Sequence, residues 1–140
     1  MQSTPSLTKH QLEVVQSTAS LSLEGKIHFG EVVQRLIAAG IERYHADYAR
    51  GETTYYAHDG ASAIISLGAA AAPIADSFSS DAVAAAVRQA QRGEIMYPQF
   101  TRQALAAGCV GYFVQLTGMC VQYFGRRGEI HTEWFPGAGY

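Results

Sequence analysis

The amino-acid sequence predicts an α+β fold in which six mostly antiparallel strands are backed by four helices. Two observations predict this class. Segments with the helical spacing of apolar residues come before segments rich in aromatic and β-branched residues and do not alternate with them. The same order, two helices and then three strands, occurs twice in 140 residues. A parallel sheet requires strands and helices to alternate, so that class is excluded.

The two units are related by a shift of 68 residues, which aligns residues 25–60 with residues 93–128 without a gap. Turn glycines, an alanine pair and aromatic residues recur in register, at positions where structure constrains residue type most. Among them, Gly25, Ala38, Ala39, Gly40, Tyr44, Tyr55 and Gly60 return as Gly93, Ala106, Ala107, Gly108, Tyr112, Tyr123 and Gly128. We therefore interpret the chain as a tandem duplication, with repeats at about 8–67 and 76–135 inside one domain, 1–140.

Each unit opens with two helices. The predicted bounds are Thr8–Leu23 and His28–Ala39 in the first unit, and 82–92 and Tyr97–Ala107 in the second. Ser79 and Ser80 are candidate N-caps, and Gly40 and Gly108 end the second helix of each unit. Residues 68–78 are rich in alanine and are predicted to form a linker that joins the units.

Three strands follow in each unit. They are predicted at 42–48, 53–56 and 61–67, and again at 110–116, 121–124 and 129–135. Asp59-Gly60 is typical of a two-residue type I′ turn, and Arg127-Gly128 repeats this signal less strongly. Both turns therefore predict antiparallel hairpins.

Side chains alternate across a strand, so the pattern predicts the two faces of the sheet. We expect Tyr44, Tyr55, Tyr112 and Tyr123 to be buried between the sheet and the helices. With two-residue hairpin turns, the opposite face carries Arg43, His45, Asp47, Thr54, Tyr56, His58, Ala63, Ile65 and Leu67 from the first unit, and Gly111, Phe113, Gln115, Gln122, Phe124, Arg126, His131 and Glu133 from the second.

Aromatic rings, imidazoles and single charges are mixed on this opposite face. Such a face is typical of a ligand groove or of a homo-oligomer interface, while an ordinary solvated face is the third interpretation. The candidate ligand-binding residues are Arg43, His45, Asp47, Tyr56, His58, His131 and Glu133. Two imidazoles and a carboxylate can hold zinc or iron, so His45, Asp47 and His58 are candidate metal ligands, with a structural role as the alternative.

Composition excludes several classes of protein. Hydrophobic residues make up 48% of the chain and charged residues 16%, which argues against disorder. The formal net charge of −2 lacks the basic footprint of a nucleic-acid-binding protein. No apolar run reaches the roughly 20 residues of a membrane helix, and the first twenty residues lack a signal-peptide pattern. With only two cysteines, we expect a cytoplasmic protein with neither nucleic-acid nor membrane partners.

Two segments, 40–60 and 106–136, carry a resemblance to a known family. The chain resembles the YbcV-like domain-of-unknown-function family, whose members are often labelled phage envelope protein. The resemblance extends from about Lys9 to Pro136, and the runs Tyr55–Gly60 and Gly108–Tyr112 are its most recognisable parts. It implies a small bacterial protein of about this length, without an established activity, cofactor or set of catalytic residues.

Two classes of function remain open at this point. The first is a non-enzymatic ligand-binding or structural and interaction module that forms a homo-oligomer. The second is a small metal-dependent enzyme that uses His45, Asp47 and His58. The asymmetry between the two units favours the first, because one copy has diverged to polar residues on a face, as binding proteins built by duplication can do.

Overall fold

The computed structural model describes residues 6–68 and 72–136. Within these residues the chain forms four helices and six strands, which confirms the α+β class. The elements are α1 (Lys9–Leu23), α2 (Phe29–Ala38), β1 (Ile41–Asp47), β2 (Glu52–Ala57), β3 (Ser62–Ser66), α3 (Ser80–Gln91), α4 (Tyr97–Ala106), β4 (Cys109–Gln115), β5 (Cys120–Gly125) and β6 (Ile130–Trp134). Residues 69–71 of the predicted linker lie outside the described residues.

The six strands form one antiparallel sheet in the order β3-β2-β1-β4-β5-β6. β1 and β4 pair at its centre, where His45 lies opposite Phe113. The hairpins on either side have matching registers, with Tyr44 opposite Tyr55 and Tyr112 opposite Tyr123. The two halves therefore share element order and strand register, while their origin by duplication stays a prediction.

The helix ends follow from local hydrogen bonds. At the start of α1, the Thr8 hydroxyl accepts from the Gln11 backbone N–H (3.1 Å), and the Gln11 side chain accepts from the Thr8 backbone N–H (3.0 Å). This reciprocal pair is a capping box. After α4, Gly108 has a φ of 81°, and a Cβ atom there would lie 2.2 Å from the Ser77 carbonyl oxygen. Only glycine fits this helix end.

The core lies between the helices and one face of the sheet, the covered face. Tyr44, Tyr55, Tyr112 and Tyr123 are all buried there, as predicted. Their rings pack in pairs, with centroids 5.1 Å apart for Tyr44 and Tyr55 and 5.7 Å apart for Tyr112 and Tyr123. All four helices contribute buried side chains to this layer, among them Val15, Leu36, Val83 and Ala104.

The hairpin turns differ from the predicted type I′ geometry. Between β2 and β3, the Ala57 N–H donates to the Ala61 carbonyl (2.8 Å) and the Gly60 N–H donates to the Ala57 carbonyl (3.1 Å). Asp59 accepts from the Ala61 N–H through Oδ1, and Gly60 has a φ of 88°. The turn therefore holds three residues and ends in a left-handed glycine, and the two-residue prediction is wrong. Gly128 closes the β5–β6 hairpin with the same pattern of bonds.

One extra residue in a turn moves every side chain of the next strand to the other face. Ala63 lies opposite Tyr55, and Ile65 opposite Thr53, so both face the helices, as does Leu67, which packs against the core. In the second half, His131 lies opposite Tyr123 and Glu133 opposite Val121. The prediction that Ala63, Ile65, Leu67, His131 and Glu133 share the face of His45 is therefore wrong.

Candidate functional site

The sheet face turned away from the helices, here called the open face, is centred on His45 and Phe113. Their rings stack across β1 and β4 with centroids 4.3 Å apart and planes 12° apart. Phe124 on β5 meets Phe113 edge-on at 6.3 Å. Tyr56 on β2 lies on the same face, opposite Arg43. Four neighbouring strands thus each present one half-buried aromatic side chain, and these four form a row across the open face.

Two charges of opposite sign flank His45 on β1. The Arg43 guanidinium lies 4.0 Å above the centroid of the Tyr56 ring, a cation–π contact, and also 3.1 Å from a carboxylate oxygen of Glu42. Asp47 accepts hydrogen bonds from the backbone N–H groups of Ala49 (3.0 Å) and Arg50 (3.1 Å) through Oδ1. Both charged side chains are therefore held in place by neighbours in the same chain.

Beside the stacked rings lies an open depression of about 400 Å³. His45, Asp47, Phe113 and Phe124 line it, together with Gly111. A Cβ atom on Gly111 would lie 2.4 Å from the Ala46 carbonyl oxygen, so glycine allows β4 to approach β1 closely here. The sequence prediction brought His45, Asp47 and Phe113 to one face, and the structure places them together.

His58, the third candidate metal ligand, lies apart from the other two. It is in the turn after β2, with Nδ1 3.6 Å from Glu42 Oε1. Thr54 is the residue opposite His45, and Tyr56 comes between Thr54 and His58 on that face. The structure does not bring His45, Asp47 and His58 together as a ligand set. Across residues 6–68 and 72–136, no three His, Cys, Asp or Glu side chains are grouped to hold a metal ion.

His131 and Glu133 belong to a polar network between β6 and α3, here called the β6 network. The Ser80 hydroxyl lies 2.7 Å from His131 Nδ1, and His131 Nε2 lies 2.5 Å from Glu133 Oε2. Arg88 donates to Glu133 Oε1 at 2.8 Å, and Glu133 is buried. Sequence reasoning paired His131 with Glu133 but missed Ser80 and Arg88, because those contacts depend on how α3 sits on β6.

A third set of polar groups surrounds a cavity of about 190 Å³, here called the hydroxyl pocket. Tyr48 follows β1, and Tyr97 and Thr101 lie on α4. The Tyr97 hydroxyl makes a 2.9 Å hydrogen bond with the hydroxyl of Tyr112. Burial raises the pKa of Tyr48 and of Tyr112 well above 10. Residue spacing does not predict this pocket, because its walls come from segments far apart in the chain.

Fold and sites together define a two-layer α+β protein with helices on one face of its sheet and an aromatic open face on the other. A family model described as "Protein of unknown function (DUF1398)" matches residues 23–133, and the chain belongs to this family. No curated protein matches the chain. The narrower YbcV-like and phage envelope labels stay predictions. None of the helices in the described ranges is long and apolar enough to cross a bilayer.

Proposed function

We propose that the protein is a non-enzymatic interaction module that forms a homo-dimer through its open face. The observation that carries this proposal is the row of rings formed by Tyr56, His45, Phe113 and Phe124. Aromatic residues are enriched at the cores of protein interfaces, where they supply most of the binding energy. A second sheet can pack on such a face at about 10 Å, as in β-sandwiches.

The charges on the open face favour a second copy as the occupant. Arg43 and Asp47 lie on the same face of β1 at equal distances on either side of His45. In such a dimer the two open faces lie against each other. A two-fold axis that runs midway between the two sheets, perpendicular to β1 and directly over His45, places Arg43 opposite the partner's Asp47. The face is thus complementary to itself, as an isologous interface requires. The chain's two lysines, Lys9 and Lys26, lie outside the sheet, and lysine is depleted at interfaces.

A substitution on the open face tests this proposal against a matched change on a helix. Phe113→Asp places a charge in the centre of the aromatic row, and Ile37→Asp places one at an exposed apolar residue of α2. Size-exclusion chromatography with light scattering should give a monomer for Phe113→Asp and a dimer for both Ile37→Asp and the unchanged chain. A Phe113→Asp protein with the same mass as the unchanged chain would reject the open face as the interface.

We also propose a cytoplasmic location and an origin by tandem duplication. Cys109 and Cys120 are free and buried, which supports a reducing compartment. The equal registers of the two central hairpins support duplication, since Tyr44 and Tyr55 pair as Tyr112 and Tyr123 do.

The β6 network favours a second candidate function, the hydrolysis of activated esters. A carboxylate accepts hydrogen bonds, so in the neutral form of His131 the Nε2–H donates to Glu133 and Nδ1 accepts from the Ser80 hydroxyl. A nucleophile, a base and a group that orients the base are therefore in contact. The Ser80 oxygen would attack the ester carbonyl carbon while its proton passes to His131. The leaving alcohol would take that proton, and water would then cleave the acyl-serine ester.

This second function has a direct test with p-nitrophenyl acetate. Ser80→Ala should abolish hydrolysis above the buffer rate, whereas Ser77→Ala, at an exposed serine before α3, should leave the rate unchanged. If the unchanged chain matches the buffer rate, or if Ser80→Ala retains its activity, the β6 network only fastens α3 to the sheet.

A further inference from the structure

We propose that pH regulates the dimer through His45, which meets the partner's His45 on the two-fold axis. This inference rests on the proposed function, because it concerns the same face and the same axis. His45 lies in the middle of the open side of β1, and the axis that pairs Arg43 with the partner's Asp47 passes directly over it. A residue on the two-fold axis of an isologous interface faces its own copy.

The positions of the histidines single out His45. The chain has five, and all of them lie within the described ranges. His10 is on α1, His28 precedes α2, and His58 is in the turn after β2. The described strands hold the other two, and His131 lies on the covered face opposite Tyr123. A change of histidine charge on the open side of the strands therefore comes from His45.

The other charges near His45 stay constant around neutral pH. The titratable side chains that face it from β1 and β2 are Arg43, with Glu42 beside it, Asp47, Glu52 and Tyr56. On the same face β4 carries the uncharged residues Gly111, Phe113 and Gln115. Glu52 is paired with Arg50 at 2.6 Å, and in the dimer Arg43 lies opposite the partner's Asp47. Carboxylates, arginine and tyrosine ordinarily keep one charge state between pH 5.5 and pH 7.5, whereas histidine does not.

Protonation of His45 favours separate subunits. In one subunit its half-buried ring stacks on Phe113 at 4.3 Å, and the face of an aromatic ring attracts a cation. In the dimer both imidazoles lie in the gap of about 10 Å between the sheets, where lost hydration and a like charge disfavour the protonated form. Histidine takes up its proton near pH 6.5 in water. The dimer should therefore be tightest above that pH and weaken as the pH falls below it.

Sedimentation over a range of concentrations, at pH 7.5 and at pH 5.5, measures this regulation. Two protons are bound for each dimer that separates, so the dissociation constant should rise about a hundredfold from pH 7.5 to pH 5.5. His45→Phe keeps a ring beside Phe113 but cannot take up a proton, so its dissociation constant should be the same at both pH values. His58→Phe is the matched control, because it removes an exposed histidine of the same half, and it should keep the hundredfold change.

A second variant tests the same point without a change of pH. His45→Arg carries a permanent charge on the axis, and it should weaken the dimer about a hundredfold already at pH 7.5. Far-UV circular dichroism of each protein should match that of the unchanged chain, so that the measured mass reports association alone.

The outcomes separate this inference from the proposed function. An unchanged chain that is monomeric at pH 7.5 would reject the dimer and its regulation together. A dimer with equal dissociation constants at pH 7.5 and pH 5.5 would overturn the regulation alone and leave the open face as the interface. The regulation is also overturned if His45→Phe keeps the hundredfold change, or if His45→Arg dimerises like the unchanged chain at pH 7.5.

Discussion

Tyr112 and Phe113 are neighbours on β4, yet they face opposite sides of the sheet. Tyr112 is 7% exposed, lies under the helices and bonds to Tyr97 of α4 through its hydroxyl. Phe113 remains half-buried, and its ring contacts are with His45 and Phe124 of the same sheet. Helices thus cover the first of these two adjacent aromatic residues, whereas the second lies on the face turned away from the helices.

The difference shows which aromatic residues the chain needs for its own core. The covered face receives a complete layer from the four helices, so its tyrosines contribute to the free energy of folding. On the open face, the contacts of the rings within the described residues are with one another and, for Tyr56, with Arg43. Substitutions on the two faces should therefore affect different properties, stability on the covered face and association on the open face.

Alkaline pH should produce the largest effect, and only through the covered face. Burial raises the pKa of Tyr44, Tyr48 and Tyr112 well above 10, the value in an unfolded chain. Above pH 10 the unfolded state loses protons that the folded state keeps, so stability is complete below pH 10 and falls as the pH rises. Each such group adds about 1.4 kcal/mol per pH unit, and burial raises the pKa of Tyr55, Tyr97 and Tyr123 as well, so the slope is at least roughly 4 kcal/mol per pH unit.

Urea unfolding at a series of pH values, with tyrosinate absorbance recorded in parallel, measures this slope. The absorbance of the buried tyrosines should rise together with unfolding. Complete ionisation of all tyrosines near pH 10, in a chain whose circular dichroism is still native, would show that the covered face is open to solvent.

Truncation of Tyr112 should produce the next largest effect. Tyr112→Ala removes a buried ring that packs on Tyr44, Tyr48 and Tyr123, and we expect it to lower the free energy of unfolding by about 3–5 kcal/mol. Urea denaturation of the two proteins measures the difference. A Tyr112→Ala protein that unfolds at the same urea concentration as the unchanged chain would mean that the two faces are assigned the wrong way round.

The covered face is polar at its β6 edge. Substitutions there should lower the free energy of unfolding by less than truncation of Tyr112 does. Glu133→Gln keeps the shape of the side chain but removes the charge that Arg88 and His131 contact. We expect a loss of about 1.5–3 kcal/mol, the usual value for hydrogen bonds to a charged group. Glu13→Gln on the exposed side of α1 is the control and should change stability by less than about 0.5 kcal/mol. Equal unfolding curves for the two variants would contradict a stabilising role for the β6 network.

The smallest effect on stability should come from the open face. His45→Ala should change the free energy of unfolding of the monomer by no more than about 1 kcal/mol, because no helix packs on this residue in the described structure. It should nevertheless weaken the dimer, because it removes the ring that stacks on Phe113. Unfolding curves at low protein concentration, together with light scattering at high concentration, measure the two quantities. A large loss of stability without a change in association would place His45 in the core.

The sequence predicted the elements well, because helices and strands differ in the spacing of their apolar residues. The burial of Tyr44, Tyr55, Tyr112 and Tyr123 also followed from strand alternation. The faces of β3 and β6 did not, because Asp59-Gly60 and Arg127-Gly128 are compatible with turns of two or of three residues. The presence of a third turn residue decides whether the side chains of the next strand face the helices or solvent.

The candidate sites show the same contrast between what residue spacing predicts and what it does not. Strand alternation placed His45, Asp47 and Phe113 on one face, and the structure shows that their strands, β1 and β4, pair and bring them together. The β6 network forms where α3 packs beside β6. The hydroxyl pocket forms where α4 packs beside the end of β1. Contacts of this kind depend on how helices sit on the sheet, which residue spacing does not specify.

Sedimentation of the unchanged chain, over about a hundredfold range of concentration, tests the central claim most directly. If a second copy covers the open face, the mass should approach twice 15.1 kDa as concentration rises and return towards 15.1 kDa on dilution. A chain that sediments as a 15.1 kDa monomer at every concentration would contradict the account.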